Sequence, residues 1–193
     1  TTIWGTSSSW TLTALPLFVW MGEILFRTKL SENLFKGLSP WLSKLPGGLI
    51  HVNVVGCGLF AAISGSSAAT VATVGKMSIP ELRKRKYPEK ILLGSLAGSG
   101  TLGLLIPPSI ILIIYGVTIE DSIAKLFMAG IFPGIMLAII FMLYVVVWST
   151  INKKQMPKIS EEFSFIEKIK RSKQLLPVVL LICSVIGSIY TGI

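Results

Sequence analysis

Of 193 residues, 52% are hydrophobic and 14% charged, and the net charge is +9. Several apolar runs reach roughly 20 residues, the length that crosses a bilayer, which excludes an ordinary soluble domain and points to an integral membrane protein. The runs lack the alternating polarity of a membrane β-barrel, so the spans are helical. The basic residues avoid these runs and gather in the connections without aromatic interleaving, a pattern that fits the positive-inside rule and speaks against nucleic acid.

The N-terminal TTIWGTSSSW has neither the basic start nor the cleavage pattern of a signal peptide. A first span is expected from Trp10 to Phe26, with Pro16 inside it and Arg27 and Lys29 ending it. Residues 28–45 carry Leu30, Leu34, Phe35, Leu38, Trp41, Leu42 and Leu45 at helical spacing, with Lys36 and Lys44 between them. This stretch is too amphipathic to span and reads as a helix in the interface plane. Pro46-Gly47-Gly48 opens a segment with two short apolar halves, 49–60 and 68–79, on either side of Ser64-Gly65-Ser66-Ser67. ELRKRKYPEK after Ile79-Pro80 reads as a charged loop. Residues 91–100 and 109–117 are apolar and flank a Gly/Pro break, 101–108. A long span is expected at 123–148, kinked at Pro133-Gly134. A basic loop follows at 150–173, and a last span starts near Leu175.

Charge orients these elements. The basic residues, Lys125 excepted, lie in three connections, and the turn 119–122 holds none. The segment 47–79 begins and ends on basic ground, so it enters and leaves on one face, as a re-entrant hairpin with SGSS at its tip. Two full spans around SGSS are the alternative, and each half is too short for that without a thin bilayer. Residues 28–46, 80–90 and 150–173 are placed in the cytoplasm and 119–122 in the periplasm.

The two breaks carry the chemistry. Backbone off the helix ladder at membrane depth costs several kcal/mol per unsatisfied group unless it lines a cavity or binds something. At SGSS one half-helix offers carbonyls to a cation, and the next offers N–H groups and a positive dipole end to an anion. Ser64, Ser66 and Ser67 add hydroxyls, and Gly65 permits backbone that a Cβ forbids. In GSGTLGLLIPPS, Pro107 and Pro108 remove two donors and free the opposing carbonyls for a hard cation such as Na⁺. Gly98, Gly100 and Gly103 allow close approach, and Thr101 and Ser109 add hydroxyls. Paired discontinuous helices are the mark of a secondary transporter. Of nine acidic residues only Glu23 lies in an apolar run. A site without fixed negative charge suits an anionic solute accompanied by cations, whereas a proton relay needs intramembrane acids or histidines.

Bland readings stand beside these. Small residues such as Gly94-x-x-x-Gly98 pack helices, and Ser/Thr hydroxyls bond their own helix. His51 reads as a helix-interior or interface histidine, Glu23 as a snorkelling or paired residue, and Trp4, Trp10, Trp41 and Trp148 as interfacial anchors. Cys57 and Cys183 read as buried free thiols, with a disulfide between them left open. No nucleophile–base pair, metal-ligand cluster or phosphate loop appears, so an enzyme is not expected. The loop 81–90 is a poor coupling helix for an ATPase. The competing reading is a non-transporting scaffold or partner-binding subunit whose breaks serve packing alone.

The stretch LPGGLIHVNVVGCGLFAAISGSSAATVATVG, followed by SGTLGLLIPPSIILIIYG and flanked by PLFVWMGEIL and KLFMAGIFPGIMLA, resembles the large membrane subunit of the tripartite ATP-independent periplasmic (TRAP) transporters along nearly the whole chain. The resemblance implies an all-α membrane fold similar to elevator-type ion transporters with inverted repeats. It implies Na⁺-coupled uptake of an organic anion, commonly a C4-dicarboxylate or sialic acid, across the bacterial inner membrane, with no cofactor beyond the coupling ion. A periplasmic solute-binding protein and a small membrane subunit are the implied partners. By the same resemblance Ser64, Gly65, Ser66, Ser67, Gly98, Thr101, Gly103 and Pro107 hold Na⁺, and Ser66, Ser67, Ala68, Pro108 and Ser109 form half of the solute site. Residues 1–27 correspond to a scaffold helix, 28–46 to an arm helix, 47–149 to a transport-domain repeat, 150–173 to a basic loop and 174–193 to the start of a further span. Family members carry two such repeats, and this chain is expected to hold the first.

Overall fold

The computed structural model describes residues 10–157 and 164–191, and every regular element among them is helical. Helix α1, Trp10–Arg27, closes on an ion pair: Arg27 Nε meets Glu23 Oε1 at 2.9 Å, one turn back. Glu23 is thus a paired residue. Trp4 and the side chain of Trp10 lie outside the described residues. Helix α2, Leu30–Leu42, is amphipathic as expected, yet Leu34, Phe35 and Leu38 are buried and the helix packs on its neighbours. Amphipathicity predicts that a stripe will be covered, not by what. Here the cover is protein.

The centre of the molecule is a helical hairpin. Helix α3, Ile50–Ser64, is apolar on every side, and 12 of its 15 residues are buried, as all-round hydrophobicity requires. At ~1.5 Å per residue it is about 22 Å long, short of the roughly 30 Å hydrocarbon core. Two residues, Gly65 and Ser66, separate it from α4, Ser67–Lys84. The two helices run antiparallel: a Cβ on Gly56 would lie 3.6 Å from Val74, and Val52 and Met77 line one crevice beneath Leu34 and Phe35.

Pro80 does not end α4, as the sequence suggests. The helix continues to Lys84 and leaves only residues 85–88 as a connection. Three features hold this last turn. Glu81 pairs with Arg85 at 2.8 Å, Leu82 is fully buried, and Arg83 and Lys84 sit where a helix C-terminus favours cations.

Helix α5, Glu89–Gly100, a single turn α6, Leu102–Leu105, and α7, Ile110–Thr118, form the broken helix. The break is narrower than 101–108: only 106–109 leaves the helical path, around a cis Pro107–Pro108 bond. Helix α8, Ile123–Ile151, runs through Pro133 without a break. Its Gly134 serves close approach: a Cβ there would stand 2.9 Å from Ile106. Gly130, one turn earlier, faces the Leu105 carbonyl at 2.6 Å in the same sense.

The hairpin's open end, the start of α5 and the end of α8 share one core, in which Leu49, Ile50, Leu82, Tyr87, Ile91, Leu92 and Val145 are buried. Both ends of the hairpin therefore sit at one end of the molecule, and its tip reaches the break midway along residues 89–118.

The basic loop 150–173 is not structureless. It carries a 3₁₀ turn, Lys153–Gln155, and a helix α9, Phe165–Ser172, with a Ser164/Glu167 capping box. A second 3₁₀ turn, Lys173–Leu175, leads into α10, Leu176–Thr191. Trp148 is half-buried and packs against the core; Trp41 donates its indole N–H to Ser172 Oγ at 2.8 Å and so ties α9 to α2. Both cysteines are free, but Cys183 is exposed, not buried as expected.

Candidate functional site

The tip is built by capping chemistry. Gly65 ends α3 in the left-handed conformation, φ +59°, and its N–H bonds Ala61 C=O. Ser66 is extended and caps α4, its Oγ accepting the Ala69 N–H at 3.5 Å. A hydroxyl relay stiffens the turn. Ser64 Oγ lies 2.9 Å from Thr70 Oγ1, which donates to Ser66 C=O at 2.7 Å. The same carbonyl accepts the Thr70 N–H at 3.0 Å. Ser66 C=O is therefore occupied by its own helix. Ser67 Oγ, by contrast, is buried and has no partner. Ala68, in the same first turn, is exposed.

The broken helix meets this tip backbone to backbone. Ile110 N–H donates to Gly65 C=O at 3.2 Å. A Cβ on Gly65 would lie 2.8 Å from Pro108 C=O, and one on Gly103 would lie 2.9 Å from Ser67 N and 3.1 Å from Ser67 Cα. Pro107 offers no N–H to Gly103 C=O, so that carbonyl has no donor on the helical ladder. Ser109 Oγ donates to Leu104 C=O at 2.9 Å, replacing the donor that Pro108 lacks. Both prolines and Ser109 are buried.

Gly65, Ser66, Ser67, Gly103, Pro108 and the Ser109–Ile110 turn are thus brought together. Gly98 and Thr101 are placed differently. Gly98 faces Phe141 of α8, and its carbonyl takes the Thr101 hydroxyl at 2.7 Å; Thr101 itself is exposed. Gly100 touches the hairpin instead, with Val71 directly against it. Of the Gly94-x-x-x-Gly98 pair only Gly98 packs, for nothing described approaches Gly94.

Three contributors escape a reading by composition. Thr70 is signalled only by its i+4 spacing from Ser66, which suits back-bonding. A Cβ on Gly22 of α1 would lie 3.6 Å from Ser64. Asn53, fully buried, donates from Nδ2 to Ser95 Oγ at 3.0 Å and Leu92 C=O at 3.3 Å, and so ties α3 to α5. His51 is fully buried with a ring nitrogen 2.8 Å from Pro46 C=O, the helix-interior role expected of it. No cluster of three or more His, Cys, Asp or Glu capable of holding a metal exists among the described residues. A cation here would be held by backbone and hydroxyl oxygens, a donor set that suits a hard monovalent ion.

The chain is similar in sequence to one family of known proteins. The family model described as the DctM component of the tripartite ATP-independent periplasmic transporter matches residues 1–193. The chain is 36% identical over 188 residues to the C4-dicarboxylate TRAP transporter large permease protein DctM of Pseudomonas aeruginosa, covering 97% of this chain and 43% of that protein. It is 33% identical to the sialic acid TRAP transporter large permease protein SiaM of Vibrio cholerae, over 97% and 43% of the two chains. It is 35% identical to the ectoine TRAP transporter large permease protein TeaC of Halomonas elongata, over 94% and 42%. The chain thus spans less than half the length of these relatives.

Proposed function

The chain belongs to the DctM component family of the tripartite ATP-independent periplasmic transporters, and we propose that it supplies the first repeat of a Na⁺-coupled permease for an organic anion. Proteins of this family are transporters, not enzymes. The solute is a carboxylate, as in the relatives named for C4-dicarboxylates and sialic acid. A periplasmic binding protein delivers it, and a small membrane subunit completes the assembly in the inner membrane.

One observation carries this reading. The hairpin tip and the Gly/Pro break meet backbone to backbone at Gly65 and Gly103, the Ser67 hydroxyl is buried without a partner, and Pro107 leaves the Gly103 carbonyl without its helical donor. Na⁺ is held between Ser64–Ser67 and Gly103–Pro107. The solute carboxylate faces the N-terminal turn of α4 at Ser67 and Ala68, where N–H groups and the helix dipole favour an anion. Residues 47–79 are re-entrant, and they move with the broken helix as one body against a scaffold that includes α1. The matching half of the site comes from the second repeat, because alternating access needs an inverted pair.

The test is uptake by the complete transporter in proteoliposomes, with a cognate binding protein and no ATP. Uptake should require a Na⁺ gradient and fall with Ser66→Ala and with Ser67→Ala. Uptake that persists without Na⁺ and in both variants sinks the site assignment.

A further inference from the structure

Helix α9 joins two features that the transport reading leaves unused. Phe165, Ile166 and Ile169 are 67%, 77% and 48% exposed. At helical spacing these three share one face, since positions 165, 166 and 169 lie within about 100° of arc. Glu167, Lys170 and Arg171 occupy the other side. A third sector holds Lys168 and Ser172, one turn apart. Ser172 accepts from Trp41, and Lys168 Nζ stands 5.5 Å from the centroid of the same ring. The helix is thus fixed to α2 by its flank while its apolar face points away from the protein.

The charge of the segment says what covers that face. Residues 164–175 carry Lys168, Lys170, Arg171 and Lys173 against the single acid Glu167. The core of a protein–protein interface is depleted in lysine, whereas a helix lying on a membrane sets apolar residues opposite a lysine-rich polar face. Its position agrees. Leu175 and Trp148 pack on one core cluster, so α9 lies at the end of the molecule where α8 stops and α10 starts. Beyond Lys173, the exposed apolar surface continues along α10 through Leu176, Val179 and Leu180.

We propose that α9 is a membrane-surface anchor, with Phe165, Ile166 and Ile169 seated at the headgroup–acyl boundary of an anionic leaflet and its lysines against lipid phosphates. It would fix the height of the connection that follows α8 while the hairpin and broken helix move. The inference concerns this segment's contact with lipid and is independent of which ion or solute is carried.

Site-directed spin labelling of the whole chain in nanodiscs tests it. With Cys57 and Cys183 replaced by Ala, single cysteines at Phe165, Ile166, Ile169, Glu167 and Lys170 receive a nitroxide. The discs contain either phosphatidylcholine alone or phosphatidylcholine with phosphatidylglycerol. Labels at 165, 166 and 169 should collide with oxygen in preference to a water-soluble nickel chelate, and labels at 167 and 170 should show the reverse. Phosphatidylglycerol should deepen the apolar-face labels. The double change Lys170→Gln/Lys173→Gln should weaken that lipid dependence, because each cation near an anionic surface strengthens attachment about fivefold. Equal nickel access at all five positions would overturn the proposal. So would apolar-face labels shielded from both reagents in the assembled transporter, an outcome that assigns the face to a protein partner.

Discussion

Gly65 combines two demands that a side chain cannot meet together. Its φ of +59° is a left-handed conformation, costing about 1–2 kcal/mol for a residue with a Cβ, and that Cβ would lie 2.8 Å from Pro108 C=O. Gly65→Ala is expected to lower the thermal midpoint of the purified protein and to separate the tip from the break. Loss of the Na⁺-dependent midpoint shift in the same melt reports the second effect. Ser67 behaves in the opposite way. Its buried hydroxyl has no partner, so Ser67→Ala relieves an unsatisfied group. The midpoint without Na⁺ should hold or rise, while the stabilisation that Na⁺ confers, about 2.7 kcal/mol at a hundredfold excess over Kd, should shrink. A Ser67→Ala protein stabilised by Na⁺ as strongly as the parent would remove Ser67 from the site. The role of Gly65 is legible in the sequence, because a glycine between serines in an apolar run has few other uses. The contrast between Ser66, whose carbonyl is occupied, and Ser67, whose hydroxyl is not, depends on where Thr70 points and is not.

At the scale of elements, the hairpin is secured at its open end by side chains that the apolar pattern does not single out. Tyr87, buried in the short connection after α4, accepts the Leu49 N–H with its hydroxyl at 3.2 Å, at the start of α3. Burial raises the Tyr87 pKa further above its ordinary value, so the hydroxyl stays protonated. Tyr87→Phe leaves the buried Leu49 N–H unpaired and should destabilise the protein by about 1–3 kcal/mol, measured as a lowered thermal midpoint in detergent. Pro80 offers the reverse case. It withholds the N–H that would close on Lys76 C=O in the interior of α4, a defect of up to about 3 kcal/mol. Pro80→Ala is expected to raise the midpoint, and a fall would show that the turn depends on the proline. The sequence places the end of α4 at Pro80 because proline usually stops a helix. Burial of Leu82 and the Glu81–Arg85 pair carry the helix past it, and neither tertiary fact is visible in the residue order. Helix α9 was hidden for a similar reason: the charge of its surroundings masks eight residues whose capping box is the clearest local signal.

For the molecule as a whole, α8 shows how the protein meets its surroundings. Phe132, Ile135, Met136, Ile139, Ile140 and Leu143 are all at least 48% exposed along its middle, an apolar face that only lipid or further transmembrane protein suits. Ile139→Lys places a cation near the centre of that helix and should cost about 2.5–3.5 kcal/mol on insertion. Reduced membrane integration in a glycosylation-mapping assay measures it. If lysine is tolerated there, the face lines an aqueous path.

The sequence by itself determined that the chain is helical and membrane-embedded and that two segments interrupt their own helices. Run length, small-residue clusters and the placement of basic residues are local quantities, and the environment acts on them residue by residue. Tertiary structure decided which of the small residues meet. Gly103 and Gly65 face across the break while Gly98 turns to α8, because rotation about a helix axis is set by the packing of buried neighbours over the whole core. It also decided that the stripe of α2 is covered by protein and that of α9 is left open. Amphipathicity states that a face needs cover, and only the positions of the other helices state what supplies it.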